Sequence, residues 1–302
     1  MKLKSKPNLA IAIFCGLVLG FTACNQNNGT DDLNTDDLQD LGTTVISETE
    51  SSASSTSISD AITGVGGFST PVAEIQTRSS QTRALPAGCP TIVAGSKTDT
   101  DGDGVPDSIT YEFDAVKCQQ NVPLNRGGGT ETISGRIQIL DISPTKDYSY
   151  RATLSTLKYE RDPLLKPKFS ETRDGTGEII QSGNTGLTKS HNVTLVRQVA
   201  LRPKVMLVNK MVFAYQVSGT GTIDLNQPLP AGTFTLTGSN EFTVGNNLPR
   251  VFTVATQTAL MYDPTCDSRR IVGGELRLAK PLAEIKIVFG SCGNDPVITR
   301  VL

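Results

Sequence analysis

The stretch Ile109-Thr110-Tyr111-Glu112-Phe113-Asp114 decides the fold class, because apolar and polar residues alternate along it with a period of two. This period puts every second side chain on one face of an extended strand, so that one face is buried and the other meets water. The pattern recurs further along the chain, where these apolar residues alternate in the same way: Ile137 and Ile139; Phe213, Tyr215 and Val217; Phe234 and Leu236; Phe252, Val254 and Leu260. The sequence therefore predicts strands with one buried face.

Turn-forming residues divide this part of the chain into short segments. They occur at Asp174-Gly175, Gly183-Asn184, 230–232, 245–247 and Gly273-Gly274. Helical periodicity is nearly absent, and parallel strands would need long crossover connections. We therefore predict an all-β domain over residues 86–302, built as an antiparallel meander of about ten strands that forms a curled sheet, a sandwich or a half-barrel.

The amino-terminal segment predicts export. An apolar run at 9–21 follows Lys2, Lys4 and Lys6 and is too short to cross a bilayer as a lasting helix. It ends in Phe21-Thr22-Ala23-Cys24, which resembles the lipobox of bacterial lipoproteins. The resemblance implies that 1–23 is a signal peptide and that Cys24 receives diacylglycerol and a palmitate-type acyl chain, which together anchor a protein stably. Asn25 follows the cysteine, which in this family implies sorting to the outer membrane or cell surface.

Residues 24–85 have the composition of a spacer. They are rich in Ser, Thr, Asn, Gln and Asp and contain almost no aromatic residue. Such a segment buries too little apolar surface to offset the entropy of ordering its backbone. We therefore predict a disordered linker between the lipid anchor and the β domain.

The four cysteines of the β domain predict two disulfides. An even number of cysteines in an exported protein indicates bridges rather than free thiols. Three pairings are possible, and we favour Cys89 with Cys118 and Cys266 with Cys292, since each pair encloses one local unit at an end of the domain. The cysteines lack the close spacing of a redox or zinc motif.

One motif carries metal chemistry. The stretch Asp99-Thr100-Asp101-Gly102-Asp103-Gly104-Val105-Pro106-Asp107 places carboxylates at loop positions one, three, five and nine, and glycine at six, in the order by which an EF-hand loop binds calcium. It resembles the aspartate-rich loops of thrombospondin type 3 repeats and dockerins. The resemblance implies a structural calcium site formed by Asp99, Asp101, Asp103, the Val105 carbonyl and Asp107. An EF-hand has Glu at the twelfth position, where this chain has Thr110, so an Asp-Gly turn without a tightly bound ion is the alternative.

The sequence gives little support for catalysis. His191 is the only histidine, and its polar surroundings predict an exposed position at the start of a strand. The chain also lacks the Gly-x-Ser-x-Gly motif that would supply a serine nucleophile for a catalytic triad. The chain has no tryptophan to stack against a sugar, and its basic and acidic residues nearly balance after Pro86, which argues against nucleic-acid binding. A pair of carboxylates acting as a hydrolase is the remaining enzymatic hypothesis.

These patterns favour a non-enzymatic envelope lipoprotein whose calcium-stabilised, disulfide-linked β domain binds an envelope or extracellular partner. The alternative is a carrier of lipid or another apolar ligand, because a curled antiparallel sheet resembles the half-barrel of periplasmic lipoprotein carriers in architecture. The two hypotheses differ in the side chains of Phe213, Phe234, Leu236 and Phe252: a carrier would expose them in an open cavity, and a binding module would bury them in a core.

Overall fold

The computed structural model describes residues 86–301, apart from 125–126, 144, 146, 165, 225–228, 247, 267–269 and 281–282. The signal peptide, the lipidation site Cys24 and the linker 24–85 lie outside the described residues. Within them, regular structure consists of thirteen β-strands and no α-helix. The strands are β1 Thr91–Gly95, β2 Ser108–Phe113, β3 Gln119–Asn121, β4 Thr130–Asp141, β5 Ser149–Asp162, β6 Phe169–Ser182, β7 Gly186–Val199, β8 Val205–Val217, β9 Gly232–Val244, β10 Arg250–Tyr262, β11 Ile271–Lys280, β12 Ala283–Phe289 and β13 Val297–Val301.

All thirteen strands form one antiparallel sheet, which confirms the predicted all-β meander. The order is β1-β2-β4-β5-β6-β7-β8-β9-β10-β11-β12-β13, and β3 pairs with the part of β4 that β2 leaves free. Among the described residues the pairing path is open, since β1 pairs with β2 alone and β13 with β12 alone. The structure has more strands than the predicted ten because β1, β3 and β13 are only 3–5 residues long, too short for a period of two to be recognised.

Glycines near the midpoints of two long strands allow the adjacent strands to approach closely. Gly175 in β6 and Gly238 in β9 have φ angles of 145° and 158°, and a Cβ at either position would collide with a backbone carbonyl oxygen of the adjacent strand. Glycine in a strand interior commonly marks such a close approach. The predicted turn at Asp174-Gly175 is therefore wrong, and so is the one at Gly273-Gly274, because both pairs lie inside strands where glycine bends the chain.

In two β-bulges, one in β5 and one in β10, side chains replace missing ladder bonds. In β5, the Thr156 amide donates to the Asp174 carboxylate at 2.5 Å. In β10, the Thr256 hydroxyl accepts a hydrogen bond from the Leu236 amide at 2.7 Å and donates to the Leu236 carbonyl at 3.1 Å. Bulges increase local twist, so together with the bent glycines they curve the sheet.

The curvature brings inward-facing side chains from distant strands into one core. Ile109 on β2, Tyr150 on β5, Phe234 on β9 and Ile287 on β12 all belong to the same buried cluster. Strands so far apart in the sheet can share a core only if the sheet curls around it. The domain therefore has one concave, buried face and one convex face towards water.

Antiparallel order places the connections at two opposite ends of the sheet. The end that we call the basic end carries the connections 122–129, 163–168, 200–204 and 245–249. Their described residues include four basic side chains and no acidic one. The other, the acidic end, carries 96–107, 142–148, 183–185, 218–231, 263–270 and 290–296, with eight described carboxylates and two basic side chains.

Candidate functional site

The aspartate loop lies at the acidic end, between β1 and β2, and folds around its first carboxylate. Asp99 accepts hydrogen bonds from the backbone amides of Gly102 at 2.7 Å and Gly104 at 2.9 Å. These donors, with Gly104 contributing most, lower the pKa of Asp99 from its usual value. Because hydrogen bonds to the ionised form favour it, the loop holds this carboxylate as an anion.

Two further carboxylates converge on the same point. Asp101 accepts from the Asp103 amide at 3.3 Å, and Asp103 accepts from the Val105 amide at 2.6 Å, so each uses only its Oδ1 oxygen. Both Oδ2 oxygens are buried without a hydrogen-bond partner, and oxygens of Asp99, Asp101 and Asp103 lie within 4.8 Å of one another. Burial first, and the neighbouring carboxylates after it, raise the pKa of Asp103. Converging oxygens that lack donors are what a hard cation requires.

The remaining two residues of the predicted calcium set occupy different positions. The Asp107 carboxylate accepts from the Thr100 amide at 2.8 Å and the Thr100 hydroxyl at 2.6 Å, and it is not part of the group of three. The Val105 side chain is fully buried in the core. The Asp107 carbonyl also accepts from the Asp141 amide at 3.3 Å. Asp107 thus closes the loop and ties it to the end of β4, while Val105 anchors the same end of the loop in the core.

Both predicted disulfides form. Cys89 and Cys118 are bridged with Cα atoms 5.2 Å apart, and Cys266 and Cys292 with Cα atoms 5.6 Å apart. The sequence separations are 29 and 26 residues. In the chain-entropy model, loops of this size make each bridge worth roughly 3 to 4 kcal/mol of stability. The first bridge lies beside β1 and the second beside the connection to β13, so each secures one edge of the open sheet.

The aromatic and aliphatic side chains that separate the carrier hypothesis from the binding-module hypothesis are buried. Phe213, Phe234, Leu236 and Phe252 are 1–4% exposed and belong to the single core cluster. Phe213 and Phe234 contact each other with ring centroids 4.5 Å apart. These four residues pack as core.

Towards the basic end, the inward face of the sheet changes from apolar to charged. Glu171 is 1% exposed and lies between two arginines, with Arg173 Nη2 at 2.6 Å and Arg197 Nη2 at 3.0 Å. Arg197 also lies over the Phe169 ring, 5.5 Å from its centroid. Buried charges of this kind persist only when they are paired and hydrogen-bonded.

A second buried carboxylate, Glu131, lies on the same inward face. Its Oε1 lies 3.6 Å from Arg161 Nε. Glu131 and Glu171 each lie beside arginine, and these contacts match a structural ionic network.

His191 is buried, so the predicted exposed position is wrong. It lies in the middle of β7 with 8% of its surface exposed, and its Nε2 is 3.0 Å from Asn209 Oδ1. Burial is the main reason that its pKa falls from 6.5 to about 4, and the nearby charge of Lys189 lowers it further. The imidazole is therefore neutral at physiological pH.

The charged interior was missed from the sequence, although a signal for it exists. In β6, Glu171 and Arg173 are an even number of residues away from Ile179, which is fully buried. Strand alternation therefore places all three on the inward face. Lys189 occupies the corresponding inward row of β7 and is 1% exposed. Strand alternation is therefore the sequence signal that places these charged residues on the inward face.

Searches among protein-family models, curated proteins and solved structures find no match to this chain. Within the part of the chain that the structure describes, no helix is long and apolar enough to span a membrane.

Proposed function

We propose that the protein is a non-enzymatic lipoprotein of the cell envelope, anchored in the outer membrane or at the cell surface through acyl chains on Cys24. Its β domain, held by two disulfides and a calcium ion, binds an envelope or extracellular partner. Support for the anchor comes from the export segment and lipobox-like sequence at 9–24. Support for the rest comes from the domain itself.

The aspartate loop fits calcium. Asp99, Asp101 and Asp103 would hold the ion, and the two buried Oδ2 oxygens without hydrogen-bond partners are the observation that supports this assignment. A bound divalent cation neutralises neighbouring carboxylates that otherwise repel one another. Its role here is structural: it would fix the connection between β1 and β2, next to the edge of the sheet.

The observation that carries the binding-module proposal over the carrier is the burial of Phe213, Phe234, Leu236 and Phe252. Ligand pockets for apolar molecules keep such side chains accessible to the ligand. In this domain they are part of the packed core, so partner recognition falls to the outer surface and the loops.

The test is native mass spectrometry of the protein purified from a membrane fraction, before and after chelation. We expect a covalent acyl mass on the fragment that contains Cys24, and one calcium-sized mass that chelation removes. If the protein instead retains a non-covalent mass of the size of a lipid, the carrier hypothesis would replace the binding-module hypothesis.

A matched pair of variants isolates the calcium site. The double variant Asp101→Asn with Asp103→Asn removes two ligands, and Asp147→Asn removes an exposed carboxylate elsewhere at the acidic end. We expect calcium to raise the thermal midpoint of the wild type and of Asp147→Asn, because an ion that binds only the folded state stabilises it. An equal rise in the double variant would exclude the loop as the site.

A further inference from the structure

Four leucines project from the basic end of the sheet, one in each connection whose described residues reach this end. Leu124, Leu164, Leu201 and Leu248 are 80%, 65%, 103% and 87% exposed. We call them the leucine rim. Single exposed apolar residues are common on proteins, but here the same residue recurs in every one of these four connections.

The local sequence of the rim also recurs. Each leucine lies within two positions of a proline, in Pro123-Leu124, Pro163-Leu164, Leu201-Arg202-Pro203 and Leu248-Pro249. Proline fixes its own φ and restricts the residue before it, so it stiffens the backbone beside each leucine and restricts Leu248 directly. In contrast, the described connections of the acidic end contain no large hydrophobic residue that is exposed.

The rim is an extended row rather than one compact apolar patch, although Leu124 and Leu164 lie close together on either side of Gly128. Successive hairpin connections at one end of a meander are two strands apart, or about 10 Å, so four of them extend over roughly 30 Å along the curved sheet edge. A protein partner usually covers a continuous, well-packed apolar centre. A bilayer accepts separate side chains equally well, because each enters fluid acyl chains on its own.

The charges around the rim specify the kind of bilayer. Lys166, Lys168, Arg202 and Lys204 lie in the same connections and are exposed, and the described residues of these four connections include no acidic one. Lys168 also lies 3.8 Å from Glu160 and 3.9 Å from Asp162, at the end of β5. The acidic end, at the far side of the domain, would be repelled by a negative surface.

We propose that the leucine rim is a membrane-contact surface for anionic lipid, with the leucines below the headgroups and the basic side chains at the lipid phosphates. The domain then stands on its basic end and presents the aspartate loop away from the bilayer. This contact goes beyond the proposed function and does not require the Cys24 anchor. The anchor raises the effective concentration of the rim at the bilayer, so that a weak contact suffices to orient the domain.

The first experiment measures vesicle binding without the anchor. The chain from position 24 to 302 carrying Cys24→Ser is sedimented with vesicles of phosphatidylcholine alone or with about 30% phosphatidylglycerol. We expect binding to the anionic vesicles, weakened at high salt because the charges at the rim are exposed. Binding that is equal for both vesicle types would overturn the assignment to anionic lipid.

Variants then separate the leucines from the charges. Replacing all four rim leucines by Ser should lower the partition coefficient at least tenfold, and Lys166→Glu with Lys204→Glu should lower it on the order of a hundredfold on anionic vesicles. The matched controls are Val116→Ser with Val297→Ser and Lys97→Glu with Lys117→Glu, which change exposed residues away from the rim. The proposal fails if the rim variants bind like these controls.

Since the chain contains no tryptophan, one introduced indole reports its own environment. Leu201→Trp should shift its emission to the blue on anionic vesicles and be quenched by brominated acyl chains, whereas Val116→Trp should do neither. An unshifted Leu201→Trp would overturn the insertion of the rim. If vesicles do not bind and the wild type, but not the leucine variant, sediments as a dimer, the rim belongs to a second copy of the chain.

Discussion

The interior of the sheet has two halves that share the same strands and differ in chemistry. In the half nearer the acidic end, the inward positions are mostly apolar, with residues such as Tyr150, Phe213 and Phe234, and Lys189 is the buried charge among them. In the half nearer the basic end, β6 and β7 place Glu171, Arg173 and Arg197 on the same face. Strand geometry is therefore indifferent to which chemistry is buried, and the energetic roles of the halves must differ. Burial of apolar side chains stabilises the fold directly. The attraction within a buried ion pair mainly offsets the cost of desolvating the two charges, so its main effect is to disfavour alternative packing arrangements.

Truncation in the apolar half should have the largest effect. Phe234→Ala removes a ring that is 1% exposed and packs on Phe213, so we expect a loss of about 3 to 5 kcal/mol in the free energy of unfolding. Denaturant unfolding measures it. Thr235→Ala, on the wet face of the same strand, should change the value by less than about 0.5 kcal/mol, and a similar cost for both would mean that the core is not packed there.

Removing one partner from the buried ion pairs should lower the free energy of unfolding slightly less than Phe234→Ala does. Glu171→Gln leaves two guanidinium groups without their shared carboxylate, for an expected loss of about 3 kcal/mol. Adding Arg173→Met to that variant should recover part of the loss, as a double-mutant cycle would measure. A loss below about 0.5 kcal/mol for Glu171→Gln would mean that water screens this half, as it does at a surface.

The alternation of residues supports most of the fold but not the division between the halves. Ile137, Phe213 and Phe252 indicated their strands and their buried face correctly, because a period of two is a direct consequence of strand geometry. Asp174-Gly175 suggested a turn, because glycine permits both a turn and a bent strand and only the neighbouring chain decides between them. The disulfide pairs could be predicted from the sequence because each closes a local loop. The leucine rim could not be predicted, because strand order must be known before its four leucines can be placed at one end of the sheet.

Histidine lies near the boundary between the halves and should make stability depend on pH. The pKa of His191 is about 4 in the folded protein, against 6.5 for the free side chain, so the unfolded chain takes up a proton first as the pH falls. Stability is therefore lost between pH 6.5 and 4, by roughly 3 kcal/mol at most. His191→Gln should flatten this part of the profile measured by denaturant unfolding. Parallel profiles for the two proteins would contradict a neutral, buried imidazole.

The smallest effect is expected at the bulge in β10. Thr256→Val removes the hydroxyl that bonds both backbone groups of Leu236, which should cost about 1 to 2 kcal/mol. Thr237→Val, on the exposed face of β9, is the matched control. If both variants unfold at the same denaturant concentration, the Thr256 hydroxyl does not stabilise the bulge.

The two open edges of the sheet make folding depend on the compartment. β1 and β13 are short strands with exposed Ile92, Val93 and Val297, and each lies beside a disulfide cysteine. Unpaired strand edges are templates for pairing with other chains. Where thiols stay reduced, we expect the short edge strands to detach and the longer strands beneath them to promote aggregation. Formation of the two disulfides would thus protect the protein from self-association at the two places where its sheet has no neighbour.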